Sequence, residues 1–437
     1  MKLFFVVLDG VADAPIKEFG NSTPLEAAET PNLDYLASNG ITGRIRIMGK
    51  YAPETDTGVM ALFGFDPLKY HRGRGPLEAY GIGYNFKEGS LALRGNFATV
   101  EKNRVVDKRA GRIQSKEARK LVNEINDNVK LEDVKFELLH ALNYRVVLIM
   151  KTTKFKFSHL ITNTHPGYKR LRGHLEVAVK KESKMYRLCK PLVKRKSAIL
   201  TAKVVNEFID KTREVLEQSS INKRREKRGL KKANMILFRG AGTELPKLEN
   251  LKKKYGLKWF CIGDTPAERG IARLLGMELI KGLPEPECDK LSSSSNIKEI
   301  KKAVRKDMRI RAKAVKDNLS RYDAFYLHIK GADPFGHAGL PEHKRVVIEG
   351  IDKWLIKKLV DLSDLENDVV IITSDHTTSC VARAHTATPV PVLIAGRGME
   401  SDNINKFGES FVKRGSLKTI KATQILEAVM DRIGDFS

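Results

Sequence analysis

Three aspartates, Asp9, Asp333 and Asp375, each follow an apolar, β-branched run. Leu3–Leu8 runs into Asp9-Gly10. Ala324–Ile329 runs into Lys330-Gly331-Ala332-Asp333, with His337 four residues on. Val369–Thr373 runs into Ser374-Asp375-His376, with His385 following. Short runs of this kind read as buried parallel strands. In open α/β sheets ligands bind beyond the carboxyl ends of the strands. Segments far apart in sequence therefore deliver carboxylates and imidazoles to one edge. That mixture suits a Zn, Mn or Fe type ion better than a calcium cage.

A second chemical group is Pro53-Glu54-Thr55-Asp56-Thr57-Gly58. The Thr55 hydroxyl is a nucleophile that needs activation. A neighbouring divalent cation supplies it by lowering the hydroxyl pKa. Val59 to Phe63 reads as a helix, with Thr55 as its expected cap. Its start would aim backbone amides at an anion beside Thr55. Such an arrangement suits phosphoryl or sulfuryl transfer. Arg72, Arg74, Arg94, Arg109, Arg112 and Arg239 lie in glycine-rich settings. Their forked donors suit phosphate and carboxylate, and about half of them are expected to touch substrate.

The elements that must hold these groups alternate strand and helix over residues 1–65. A helix is expected around residues 32–37, after Pro31 at its first turn. Residues 66–95 are glycine-rich and polar and read as a loop. From 96 to 195 the texture changes. Residues 99–106, 135–139 and 144–150 read as strands, and 115–125 as a helix with Ser115 as N-cap. Strands with local helices but no long crossover suggest a small α+β insert. Residues 197–220 read as an amphipathic helix, with Ile199, Leu200, Val204, Val205 and Phe208 at helical spacing. Residues 234–238 and 259–262 read as strands, and 265–276 as a helix. The Lys-rich segment 295–320 reads as a solvated amphipathic helix. The expected class is α/β: a mostly parallel sheet flanked by helices (residues 1–95 and 196–437) plus an inserted α+β domain (96–195) that binds substrate.

The chain has 437 residues, 41% of them hydrophobic, enough for two domains or one large elaborated one. Its formal charge is +26, from 79 Lys+Arg against 53 Asp+Glu. Such a balance invites a nucleic-acid reading. Lys-rich surfaces also mark heat-adapted proteins, and an anionic substrate favours a basic cleft. The basic residues are scattered, with knots at residues 223–232 and 298–316. No zinc-finger spacing or RNA-binding aromatic motif accompanies them, so nucleic acid is not expected as the main partner. Cys189, Cys261, Cys288 and Cys380 form no CxxC pair, which excludes a disulfide framework and fits a reducing cytoplasm. The apolar start breaks at Asp9, too early for a signal-peptide core, and no stretch is long enough to span a bilayer. The expectation is a soluble, cytoplasmic protein.

In order along the chain stand Val7-Leu8-Asp9-Gly10, Thr23-Pro24-Leu25-Glu26-Ala27-Ala28, Phe63-Gly64-Phe65-Asp66-Pro67, YHRGRGPLEA from Tyr70, and Asn96-Phe97-Ala98-Thr99. Arg109-Ala110-Gly111-Arg112-Ile113, Leu237-Phe238-Arg239-Gly240-Ala241-Gly242, Gly270 to Met277, Lys330 to Gly339, and Ser374-Asp375-His376 with His385 and Pro389-Val390-Pro391 complete the set. This ordered set resembles the alkaline phosphatase superfamily, and more narrowly the archaeal-type cofactor-independent phosphoglycerate mutases.

The resemblance implies an alkaline-phosphatase-like core and two divalent ions (Mn, Co, Zn or Mg). One ion would be held by Asp9, Thr55, Asp375 and His376. The other would be held by Asp333, His337 and His385. It implies interconversion of 3-phosphoglycerate and 2-phosphoglycerate in glycolysis and gluconeogenesis, through a phospho-threonine and with no bisphosphoglycerate. Lys330 and the six arginines are the substrate-binding candidates. The alternative is a phosphotransferase or phosphatase for another small alcohol, as in the related homoserine-directed branch. Two positions depart from the family pattern. Thr55 stands where serine is usual, and Thr164-His165-Pro166 where Thr-Asp-Pro is expected.

Overall fold

A computed structural model describes residues 1–171, 173–179, 184–291 and 295–434. The chain divides into two compact units. The first comprises residues 1–67, 248–264 and 271–437, and the second residues 68–247 and 265–270.

The first unit is built on an eight-stranded sheet. Leu3–Leu8 lies between Ala324–Ile329 and Val369–Thr373 and is parallel to both. Every residue of these three strands is buried, which explains runs without polar alternation. Their register aligns Leu8 with Ile329 and Val7 with Thr373. All three strands therefore end at one sheet edge, and Asp9, Lys330 and Ser374 leave from it. Trp259–Ile262 and Glu278–Leu279 extend the sheet in parallel on one side. On the other side Val390–Gly396 runs antiparallel, then Gly40–Arg46, with Thr419–Lys421 parallel to the latter. The sheet is thus mostly parallel with helices around it, as expected.

The floor beneath the site edge is aromatic. Phe63 meets Tyr326 edge-on at 4.9 Å and Phe5 at 5.3 Å. Burying each such ring contributes about 1.5–3 kcal/mol. The segment 295–320 is the helix Ile297–Asn318, amphipathic as expected. Ile300, Val304, Met308 and Val315 sit in the core, leaving one basic face outward.

The second unit holds a five-stranded antiparallel sheet. Leu91–Glu101 pairs with Arg104–Asp107, Arg145–Lys151 and Met235–Gly242, and Lys135–Leu142 lies beyond. It reaches past residues 96–195 at both ends because Met235–Gly242 completes this sheet. The helix Lys196–Gln218 also packs Val205 and Phe208 into its core, while Ile199 faces solvent. Residues 66–95 are not a loop. They form the helices Pro67–Tyr70 and Arg74–Gly81 before the strand begins. Gly75 lets the second helix touch backbone, since a Cβ there would meet the Ala92 carbonyl at 2.3 Å. Residues 99–106 are two strands rather than one. Lys102 and Asn103 turn the chain with φ of 44° and 64°. The N-cap position of the helix Ser115–Asn128 is Gln114, whose side chain makes no capping bond, and the Ser115 hydroxyl accepts the Asn143 N–H. All four cysteines are buried and outside any disulfide. Among the described residues no helix is long and apolar enough to cross a membrane.

Candidate active site

The edge formed by the three parallel strands gathers Asp9, His328, Lys330, Asp333, Asp375 and His376. His376 Nε2 lies 3.2 Å from both Asp9 Oδ1 and Asp375 Oδ2. His328 Nε2 is 3.5 Å from Asp375 Oδ2 and 4.0 Å from Asp9 Oδ1. Lys330 Nζ donates to Asp9 Oδ2 at 2.7 Å. Burial alone would raise the Asp9 pKa, but Lys330, His328 and His376 outweigh it and hold the carboxyl well below its usual range. Burial would lower His376, but Asp375 and Asp9 raise it well above the ordinary imidazole value.

The second cluster is a triangle. Asp333 Oδ1 lies 3.4 Å from His337 Nε2 and 3.2 Å from His385 Nε2, and the two nitrogens are 3.1 Å apart. Burial would raise Asp333, yet His337 and His385 hold it far below the usual carboxylate range.

Each histidine has its other nitrogen committed. His385 Nδ1 meets the Pro53 carbonyl at 2.8 Å, and His337 Nδ1 meets the Arg383 carbonyl at 3.3 Å. A carbonyl only accepts, so both Nδ1 atoms carry protons. The Thr378 hydroxyl donates to Asp333 Oδ1 at 2.8 Å, which leaves its lone pairs to accept from His376 Nδ1 at 3.0 Å. The three Nε2 atoms are thereby aimed at carboxylate oxygens and at one another. Asp9 Oδ1, Asp375 Oδ2 and His376 Nε2 are buried without an aligned hydrogen-bond partner. Donor atoms of Asp333, His337 and His385 lie within 4.8 Å of one another, as do those of Asp9, Asp333 and His376, and those of Asp9, His328 and Asp375. Convergent imidazole nitrogens, carboxylates and outer acceptors on the far nitrogens make a setting that fits divalent cations.

Thr55 opens the helix Thr55–Leu62. It is not the cap. Glu54 is, and its own N–H donates to the Thr57 hydroxyl at 2.9 Å. The Thr55 hydroxyl is thus released from the capping duty the sequence suggests. Its neighbours tie it to the site: Pro53 accepts from His385, and a Cβ on Gly58 would meet the Asp375 carbonyl at 2.4 Å. Any larger residue at Gly58 pushes the helix off Asp375.

In the second unit Arg74, Arg94 and Arg239 are buried around Glu78 and Glu176. Arg74 Nε lies 2.7 Å and Arg94 Nε 3.3 Å from Glu78 Oε1. Arg239 bonds Glu176 at 3.1 Å and stacks over the Tyr168 ring at 3.7 Å. Burial and the nearby Arg239 push the Arg94 guanidinium down to about 9. His165 lies among these charges. Burial first, then Arg239, Arg94, Lys108 and Arg109, hold it well below the usual imidazole pKa. Its Nδ1 accepts the Gly167 N–H, so the neutral ring carries its proton on Nε2. Cations outnumber carboxylates here, as in a pocket for an anion. Arg109 is exposed, with its guanidinium over the Tyr144 ring. Arg112 is half-buried in a left-handed turn, φ 56°. Arg72 pairs with Glu244 at 2.7 Å.

A family model described as 2,3-bisphosphoglycerate-independent phosphoglycerate mutase matches residues 37–222. An Aeropyrum pernix protein of that name is 37% identical over 431 residues, spanning 96% of each chain. The chain belongs to this mutase family. A Thermococcus kodakarensis mutase is 35% identical over 98% of this chain and 97% of its own. The solved structure of a Pyrococcus horikoshii protein matches with a TM-score of 0.76 at 30% identity, covering 100% of this chain and 99% of that one. A cofactor-independent phosphoglycerate mutase from Thermoplasma acidophilum matches with a TM-score of 0.59 at 28% identity, covering 99% and 100%.

Beyond the residues expected for a mutase of this family, the structure adds His328, Thr378, Glu78, Tyr168 and Arg145. His328 had a signal: it shares a strand face with Lys330, two residues on. Thr378 sits two residues past His376, on the strand Thr377–Ser379. Arg145, whose charge acts on Glu78 and Arg94, had none in its surroundings.

Proposed function

We propose that this chain interconverts 3-phosphoglycerate and 2-phosphoglycerate without bisphosphoglycerate, with Thr55 as the phosphoryl acceptor. The observation that supports the reading is the set of committed Nδ1 atoms on His337, His376 and His385, which turns three Nε2 atoms toward the Asp9, Asp333 and Asp375 carboxylates. Asp333, His337 and His385 would hold one divalent ion, and Asp9, Thr55, Asp375 and His376 the other, with Mn, Co, Zn or Mg as candidates. When bound, these ions would lower the Thr55 hydroxyl pKa and offset charge on the phosphoryl oxygens.

Thr55 attacks phosphorus, and the bond from phosphorus to the substrate oxygen breaks. The departing oxygen takes up the proton that Thr55 gave. The glycerate stays, turns, and its other hydroxyl attacks the phospho-threonine, restoring Thr55. Lys330 and the backbone amides at the helix start offset negative charge on the phosphoryl group. Arg74, Arg94 and Arg239, with the Nε2 proton of His165, have the chemistry to hold the carboxylate and keep glycerate in place. The reading implies a cytoplasmic enzyme.

The test is 2-phosphoglycerate formation by metal-stripped enzyme reloaded with Mn²⁺ or Co²⁺, with no added bisphosphoglycerate. Turnover only after reloading supports the reading. Turnover of another small phosphorylated alcohol, and none of phosphoglycerate, would favour the alternative, for which His165 in place of the expected aspartate is the motive.

A further inference from the structure

The helix Ile297–Asn318 presents Lys301, Arg305, Arg309, Lys313 and Lys316 to solvent. Their spacing puts them on one face, a stripe of about 22 Å at helical rise. Opposite runs a helix interrupted by a π-helical turn, Asp352–Ile356, which carries Lys353 and Trp354 and leads to Lys357. Such turns are rare and occur often at functional sites. Two cavities, of about 320 Å³ and 710 Å³, lie along this groove, and Lys353, Trp354 and Lys357 line both.

Cations outnumber carboxylates in the groove. Among the described residues Lys301, Arg309, Lys316 and Lys353 make no ion pair, and Arg305 instead lies over the Trp354 ring at 4.8 Å. Glu29, Glu349, Asp352 and Asp361 also line the cavities, and the last three are already engaged. Asp361 faces Lys357 and Lys358, Glu349 pairs with Arg345, and Asp352 accepts from Asn32 and Leu33. Lys313 pairs with Asp317 at 2.5 Å, an exposed bridge that exchanges readily.

We propose that this groove binds single-stranded nucleic acid, with backbone phosphates along the cationic stripe and a base against Trp354. A row of cations on both walls fits a linear polyanion rather than a single small ion. A half-buried indole between two cavities supplies the sequence-tolerant stacking that single strands use. A double helix would leave that indole unused. The charge that the sequence spreads thinly is gathered here, so the basic excess acquires a site without becoming the main function.

The chain has two tryptophans, and the other, Trp259, is only 2% exposed. A change in indole fluorescence on binding therefore reports on Trp354. Intact protein is titrated with a short oligouridylate, a duplex of equal length and inorganic polyphosphate, following fluorescence and label anisotropy. The single strand should bind and quench. Its affinity should fall with salt, with a log–log slope of about −0.7 per phosphate contacted. The double variant Arg309→Gln/Lys313→Gln should weaken binding about tenfold and flatten the slope by about 1.4, with an unchanged melting temperature. Trp354→Leu should weaken binding for single strands and not for polyphosphate. The proposal is overturned if the single strand does not bind at low salt, if the double variant binds as wild type, or if duplex or polyphosphate binds as tightly as the single strand.

Discussion

His337 Nε2 and His385 Nε2 lie 3.1 Å apart, and each ring has its Nδ1 against a backbone carbonyl. With both Nδ1 atoms so engaged, the two Nε2 atoms meet in a close approach beside the Asp333 carboxylate. A cation shared among the three relieves it. Metal-stripped protein should therefore gain melting temperature when Mn²⁺ or Co²⁺ is added. His337→Ala and His385→Ala should each lose most of that gain. An equal gain in both variants, read by calorimetry, would separate this triangle from metal binding.

Thr378 bridges the clusters by donating to Asp333 and accepting from His376. Thr378→Val keeps its shape and removes the hydroxyl. Loss of such an outer partner costs about 10–100-fold in metal affinity. Titration calorimetry with Mn²⁺ should find that loss with the fold intact, and Thr378→Ser should restore affinity.

Arg239 stacks on Tyr168 and bonds Glu176. Arg239→Lys keeps the charge and loses the fork. If it holds the substrate carboxylate, kcat/KM should fall by about tenfold to a hundredfold, the worth of a charged hydrogen bond. Released glycerate should also raise hydrolysis relative to mutase turnover. Unchanged kinetics would remove Arg239 from the substrate.

Glu409 accepts the Asp13 N–H at 3.0 Å and the Thr23 hydroxyl at 2.6 Å. Burial, opposed by those bonds, pushes its carboxyl up from 4.5 to about 7. A raised folded-state value means stability fully present below about 4.5 and lost as pH rises through about 7. Glu409→Gln should flatten that loss. Melting temperatures of the two proteins measured between pH 5 and 8 should converge at the alkaline end or cross there. Parallel curves would contradict the assignment.

The strand ends were readable because full burial writes itself as unbroken apolar runs, and their aspartates could then be placed. Helical residues 74–81 were hidden by glycines that signal turns in isolation but here permit close packing. The extent of the second unit was hidden because Met235–Gly242 pairs with a strand more than a hundred residues earlier, and pairing distance leaves no local mark. His328 and Thr378 escaped for a related reason. Their partners are fixed by register, not by spacing.

The central claim is that Thr55 carries the phosphoryl group between the two substrate oxygens. It is tested most directly by mass spectrometry of acid-quenched turnover, with Thr55→Ala and Thr55→Ser beside the wild type. The account predicts phosphate on the peptide holding residues 53–58 in the wild type, none and no turnover in Thr55→Ala, and retained activity in Thr55→Ser. Mutase turnover by Thr55→Ala, with metal content unchanged, would contradict it.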